Sequence, residues 1–434
     1  MTTGQTAGKT TRRNVLAGIG AAGMGALAMP ALVRARAGMA HVVVIGGGFG
    51  GATAANYLRR LDSSVWITVI EPNANFTTCP FSNLYLGGLR DWDSITHGYH
   101  GLRGAAIRVL ETTAQDVDSV ARRVTLADGT VLDYDKLILS PGIDIRWNAL
   151  EGYDEAAAEI ALHAWKAGPQ TQALKARLEA MEDGGTFVMS ITDGAFRCPP
   201  GPYERASMVA HYFKTHKPAS KILLLDSKES FSKQGLFQQG WQALYGDMIE
   251  WVGQTDDGQV LRVDAQAGEV ETAFGTTHRA DVLNVVPPQK AGWIADRAGV
   301  TDATGWVPVR GSTFESTLVP GIHVVGDATI AAPMPKSAFC ANAQGKVVAA
   351  VIAAELAGRE PPAASFANTC YSLVGPDWGI SVAGVYRAEG DTIVEVPDSG
   401  GVSPIDADAA FRRAEAEYGA SWYAAITADT WDAA

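Results

Sequence analysis

Cys198 has the strongest chemical character in this 434-residue chain. It stands in "ITDGAFRCPPGPYER", residues 191–205, directly after a short apolar run, "GTFVMS", that reads as a β-strand. A strand opening an α/β unit often runs into a glycine-rich turn whose N–H groups cradle a dinucleotide phosphate. Here there is no GxGxxG, and Pro199, Pro200 and Pro202 stiffen the turn and withhold the donors. A cysteine in such a place is a candidate redox group. Glu204, six residues on, is a candidate proton acceptor whose pKa a desolvated site would raise. A helix-start glutamate favoured by the helix dipole fits the same spacing.

A redox partner for Cys198 should come from a distant segment. Cys370, in "FANTCYSLVG", is the first choice; Cys340, on an apolar helical stretch, reads as buried and inert. Four cysteines allow three complete pairings, among which sequence alone does not choose. None has zinc-type spacing, so no metal site is expected. Cys79, in "NFTTCPFSN", follows a second strand and is a candidate for covalent chemistry of its own.

These residues need a framework, and the chain announces one. "HVVVIGGGFGGATAANYLRR" begins as a buried strand, His41 to Ile45, turns through Gly46, Gly48 and Gly51, and continues as a helix. The first glycine makes the turn, the second admits a pyrophosphate to the backbone, and the third lets helix and strand pack closely. "WITVIEPN" ends in Glu71, placed to take a ribose hydroxyl. Far downstream, "LVPGIHVVGDAT" sets Gly326-Asp327 after a strand, the arrangement in which glutathione-reductase-like enzymes hold the ribityl chain of FAD. A helix from about Ser337 would aim its positive end at the flavin pyrimidine. "DKLILSPGI" (135–143) closes the first segment of this FAD domain.

The expected fold is therefore α/β: a two-dinucleotide-binding-domain flavoprotein. Its FAD domain is discontinuous, 38–150 and 285–365. A second Rossmann-like domain without a nucleotide site fills 151–284, and a C-terminal interface domain follows at 366–434. Residues 1–37, with paired Arg12-Arg13, a weakly apolar Gly/Ala-rich run and Ala35-Arg36-Ala37, read as a twin-arginine export signal to the periplasm. Its removal takes Lys9, Arg12, Arg13, Arg34 and Arg36 and no acid, so the net charge of −12 becomes more negative still. That charge argues against nucleic acid and anionic membranes as partners. No further membrane-spanning stretch is expected in the mature chain.

Taken together, these motifs resemble the flavoprotein subunit of flavocytochrome c sulfide dehydrogenase, including the Sox-associated flavoproteins of that family. The resemblance runs nearly end to end, through "TCPFSN", "HAWKAGPQT", "FRCPPGPYERAS", "KILLLDSKESFSKQ", "NVVPPQKAG", "HVVGDATIAAPMPKS", "NTCYS", "VPDSGGVSP" and "SWY". It implies FAD bound covalently through Cys79, a Cys198–Cys370 redox disulfide with Glu204 beside it, Trp422 as an aromatic near the flavin, and Lys336 in the cofactor site. It also implies oxidation of sulfide to sulfane sulfur or polysulfide, with electrons passed to a c-type cytochrome. Pro80 departs from the family, which usually has an aromatic after the attachment cysteine, and Cys340 is extra to the pattern. The chain has no CxxCH, so a haem partner would be a separate protein. Two rivals are a sulfide:quinone oxidoreductase, which would need an amphipathic membrane-binding C-terminus that this acidic one does not resemble, and a pyridine-nucleotide disulfide reductase, disfavoured by the missing second fingerprint. A non-catalytic, flavin-bearing accessory subunit is the non-enzyme alternative.

Overall fold

The computed structural model describes residue 1, the pair Leu32–Val33 and residues 38–432. The export-signal reading falls outside the described residues, except that Leu32–Val33 pairs in parallel with Val131–Leu132.

The chain first builds β1 (His41–Ile45), α1 (Phe49–Leu61), β2 (Trp66–Ile70), β3 (Arg108–Leu110) and β4 (Lys136–Leu139). β1 is buried at every position, as expected of a strand covered on both faces of a parallel sheet. Next come β5 (Thr186–Ile191), α2 (Gly201–His216), β6 (Lys221–Asp226), α3 (Gln234–Tyr245), β7 (Ile249–Val252) and β8 (Val282–Val286). The last part holds β9 (Ile322–Val324), α4 (Ala338–Leu356), β10 (Ser365–Gly375), β11 (Trp378–Glu389) and α5 (Ala409–Trp431).

The first sheet has the order β9-β4-β1-β2-β3 and is parallel throughout. Its β9 arrives from nearly 200 residues beyond β4, so the intervening chain is an insertion into this sheet. The insertion forms a second parallel sheet, β7-β6-β5-β8. The third layer is antiparallel: β10 pairs with β11, which also pairs with Thr392–Glu395 and Gly401–Val402.

Small residues let α1 and α4 approach closely. A Cβ built on Gly345 would lie 2.6 Å from the Gly50 carbonyl oxygen. Among the described residues, helix α4 alone is long and apolar enough to cross a membrane, by length and composition only. Some 61% of its apolar window is buried inside the protein, however, so its apolarity is spent on the core. α5 docks across the first domain, and its Trp431 indole N–H donates to the Gly47 carbonyl at 3.0 Å. Trp431 also stacks on His97, centroids 4.9 Å apart.

Candidate active site

A cavity of about 560 Å³ lies where the three layers meet. The β1–α1 turn forms one end. Gly46 has φ +102°, and a Cβ there would sit 2.2 Å from the Ser140 carbonyl oxygen. A Cβ on Gly51 would fall 2.0 Å from the Gly46 carbonyl oxygen, so Gly51 serves the helix–strand contact while Gly46 and Gly48 line the cavity. Glu71 lines it too, held by the Gly47 N–H at 3.0 Å and by the Asn73 backbone and side-chain N–H groups at 3.1 and 2.9 Å.

Asp327 comes from the end of β9, its carboxylate 3.7 Å from the Arg197 guanidinium. Burial raises its pKa, and its Oδ1 is buried with no hydrogen-bond partner among the described residues. Trp422, on α5, likewise presents an unpartnered buried indole N–H. Buried polar atoms are normally paired, and these two belong to a cavity wall. Ser337 caps α4 by accepting from the Cys340 N–H at 3.0 Å, and Ser337, Ala338 and Phe339 present the positive end of that helix to the cavity. A glycine turn closed to any Cβ, a carboxylate lacking a donor and a helix N-terminus together fit a dinucleotide carrying a flavin.

Lys336 is placed differently from its expected role. It does not line the cavity. Its ammonium donates to the carbonyls of Asp327 at 2.8 Å and Thr329 at 2.6 Å and lies 3.8 Å from the centre of the Trp306 ring. Burial draws its pKa down to about 8. Lys336 therefore braces the loop behind the wall, and its carbonyl takes the Cys198 N–H at 2.9 Å.

The same cavity carries the sulfur. Cys79, Cys198 and Cys370 all line the cavity with Glu204, whereas Cys340 is buried behind it. All four cysteines are free thiols here, so the expected Cys198–Cys370 bond is not formed in this structure. Cys198 sits in the left-handed region, φ +59°, at the end of the proline-stiffened loop, three residues before α2 begins. Cys370 comes from the middle of β10, opposite Val382. Burial pushes both thiols above their ordinary pKa, Cys198 strongly, with Glu204 and Cys370 adding to the effect at Cys198. Cys79 Sγ faces the Trp165 carbonyl at 3.5 Å.

Glu204 accepts from the Asn83 side-chain N–H at 2.9 Å and the Leu373 N–H at 3.0 Å. Burial nevertheless holds its carboxyl above the usual range. As pH rises through the unfolded value near 4.5, the unfolded chain loses this proton while the folded one keeps it. Folding stability therefore falls with pH from there up to the folded pKa. Glu204→Gln is expected to flatten that slope, measurable as urea midpoints between pH ~4 and ~7. An unchanged slope would mean that Glu204 is not the buried acid.

Several participants were not singled out from sequence. Arg205 is buried and donates to Asn83 Oδ1 (3.1 Å), the His163 and Ala164 carbonyls (2.8 Å each) and Asn284 Oδ1 (2.9 Å). Asn368 Oδ1 accepts from Ser337 Oγ at 2.7 Å and from the thiols of Cys340 and Cys370 at 3.5 and 3.6 Å. Lys233 reaches the Cys370 strand from α3's N-terminus. Their one sequence signal was position inside motifs: "FRCPPGPYER", "NTCYS" and "FSKQ".

With this geometry in place, comparison with known proteins gives a consistent answer. Residues 171–287 match the family described as "Sulfide dehydrogenase [flavocytochrome c] flavoprotein chain, central". Residues 362–431 match "Flavocytochrome c sulphide dehydrogenase, flavin-binding", and 40–180 match "Pyridine nucleotide-disulphide oxidoreductase". The sulfide dehydrogenase [flavocytochrome c] flavoprotein chain of Chlorobaculum thiosulfatiphilum is 61% identical over 46 residues, 11% of this chain and 96% of that sequence. Mitochondrial sulfide:quinone oxidoreductase of Mus musculus is 21% identical over 314 residues, 71% of this chain and 69% of that one. The solved sulfide:quinone oxidoreductase of Aquifex aeolicus shares the fold, with TM-score 0.65 at 19% identity, covering 90% of this chain and 92% of that one. The two-dinucleotide-binding α/β architecture expected from the glycine turns is thus the architecture found, and the chain is an FAD-binding oxidoreductase belonging to the flavocytochrome c sulfide dehydrogenase flavoprotein family.

Proposed function

We propose that this protein oxidises sulfide to sulfane sulfur or polysulfide through Cys198 and Cys370 and delivers the electrons, by way of FAD, to a c-type cytochrome. The observation that carries this reading is the meeting of Cys198, Cys370 and Glu204 in the one cavity that the glycine turn also lines. Gly46, Gly48, Glu71, Asp327 and Trp422 would hold the FAD, and Cys79, on the same cavity, would bond to it. The bound flavin supplies a two-electron sink that can be emptied one electron at a time.

This chain's residues do the remaining work. With Cys198 and Cys370 joined, hydrosulfide attacks one sulfur; a carbon-bound persulfide forms there and the other cysteine leaves as a thiolate. Glu204, a buried carboxyl beside both, takes or returns the proton of the incoming sulfur. The proline-stiffened loop keeps Cys198 facing the cavity, and the walls limit access of water. A cytochrome acceptor is favoured over a membrane quinone because α5 spends its inner face on the protein, burying Gly419, Tyr423, Ile426 and Trp431. Export by the twin-arginine route accompanies this reading, since that route carries folded, cofactor-loaded proteins.

The test is anaerobic titration of the holoenzyme. Sulfide should bleach the flavin spectrum, a c-type cytochrome should restore it, and NADH and NADPH should do neither. Acid-precipitated protein should stay yellow, and Cys79→Ala should release FAD. Flavin reduction by NADH as fast as by sulfide would defeat the reading; reoxidation by a quinone in preference to cytochrome would transfer it to the quinone reductases.

A further inference from the structure

Lys233 is a buried cation that the chemistry described so far leaves unused. It is 8% exposed and holds φ +64°, ψ +25°, a conformation few non-glycine residues adopt, at the N-cap of α3. From there its ammonium donates to the Cys370 carbonyl at 2.9 Å and to Ser372 Oγ at 2.8 Å. Both acceptors are neutral, and among the described residues no carboxylate pairs with it. A buried ammonium without a counter-charge is unfavourable, so a site that keeps one is built for an anion. Burial lowers the Lys233 pKa, and the acidic groups that oppose this are Cys370 on β10, Glu204 on α2, Cys198 on the preceding loop and Glu415 on α5. Glu415 is already held by Ser381 Oγ at 2.6 Å and Ser403 Oγ at 2.7 Å. Cys370 is the one whose own backbone the ammonium grips.

We propose that Lys233 is a positioning residue for sulfur transfer: it fixes the Cys370 strand and stabilises the negative charge on the Cys370 sulfur. This rests on the assignment of Cys198 and Cys370 as the sulfur-handling pair. Attack of HS⁻ on the Cys198–Cys370 bond converts one cysteine to Cys–S–SH and releases the other as Cys–S⁻, with no net change of charge. If Cys370 is the leaving sulfur, it carries the charge directly. If Cys370 receives the sulfur, its persulfide carries the charge once the proton has passed to Glu204. In both cases an anion forms on the residue that Lys233 holds. The Asn368 side-chain N–H, 3.5 Å from Cys370 Sγ, adds a neutral donor to the same atom. Cys340 and Tyr386 are the remaining titratable groups near Cys370, both neutral when protonated.

The experiment reads thiol ionisation directly. Holoenzyme in the dithiol form is pulsed with iodoacetamide over pH ~6 to ~10, and each cysteine is quantified by peptide mass spectrometry. In the wild type Cys370 should be modified at lower pH than Cys198, because only Cys370 lies on the strand that the ammonium grips. Lys233→Gln should raise the Cys370 midpoint by about one unit, a tenfold loss of thiolate at fixed pH, and move Cys198 much less. Its kcat for sulfide should fall about tenfold with the acidic limb of the pH profile displaced upward, and Lys233→Arg should restore both. A Cys198 that ionises first in the wild type, or a Cys370 midpoint unchanged in Lys233→Gln, overturns the proposal. The wild-type order decides the matter even if Lys233→Gln does not fold. Sulfide oxidation retained by Cys198→Ser would instead defeat the assignment of the pair and leave the ionisation order to be judged by itself.

Discussion

Cys198→Ser and Cys370→Ser are each expected to fold, to keep FAD, and to lose sulfide-dependent flavin reduction by about 10³-fold or more, the scale on which loss of a nucleophile acts. The competing view makes the pair a structural staple. A bond closing a loop of about 170 residues would contribute roughly 5 kcal/mol by restricting the unfolded chain, and losing it would cost expression and cofactor together. The packing argues against a staple. The Cys198 loop is already anchored by the Cys198 N–H on the Lys336 carbonyl, by the Gly201 N–H on the Cys198 carbonyl at 2.8 Å, and by the Arg197 N–H on Gln289 Oε1 at 3.0 Å. Cys370 is registered in the β10–β11 ladder. Cys340→Ser should keep most activity, because the hydroxyl can donate to Asn368 Oδ1 as the thiol does. Stopped-flow bleaching of the flavin by sulfide is the measurement; a folded Cys198→Ser protein reacting near the wild-type rate would end the mechanism.

Arg205→Met is expected to cost about 3–5 kcal/mol of stability, the range for breaking a buried charged network from one side. The guanidinium is 2% exposed, with its pKa drawn down to about 10 by burial, and it lies 4.7 Å from the centre of the Trp165 ring. Removing it strands Asn83 Oδ1, Asn284 Oδ1 and the Ala164 carbonyl, while the His163 carbonyl keeps the Asn284 side-chain N–H at 3.1 Å. Each unpaired buried acceptor costs about 1–3 kcal/mol before relaxation. Asn83 also donates to Glu204, so the substitution should loosen the acid as well. Urea denaturation gives the number, and a loss under about 1 kcal/mol would show that the network relaxes freely.

What could be read from the residues before the fold was known has a physical pattern. The β1–α1 turn was legible because its constraints are local: Gly46, Gly48 and Gly51 act within six residues of one another. Cys198 was legible because prolines stand where donors would be needed. Lys233 was not, since its meaning lies in a contact 137 residues away and in a left-handed backbone that its identity does not advertise. Arg205 reads as an ordinary helix cation until four acceptors from three segments converge on it. Lys336 fell on the wrong side of its wall because neighbouring positions on a loop can face cavity or core, and only the carbonyls of Asp327 and Thr329 decide which.

The position of β9 and the Trp431–Gly47 bond also sets an order of events during synthesis. The central strand β1 leaves the ribosome first, yet its sheet is incomplete until Ile322–Val324 pairs with Leu137–Leu139. The glycine turn is sealed only when Trp431, the last residue of α5, closes on Gly47. Contacts between segments so far apart in sequence wait for their late partners and make the final stage of folding slow. Flavin is therefore held securely only once α5 has been made and has docked, and truncation of its last helical turn, which removes Trp431, should lower the flavin absorbance retained per polypeptide on purification.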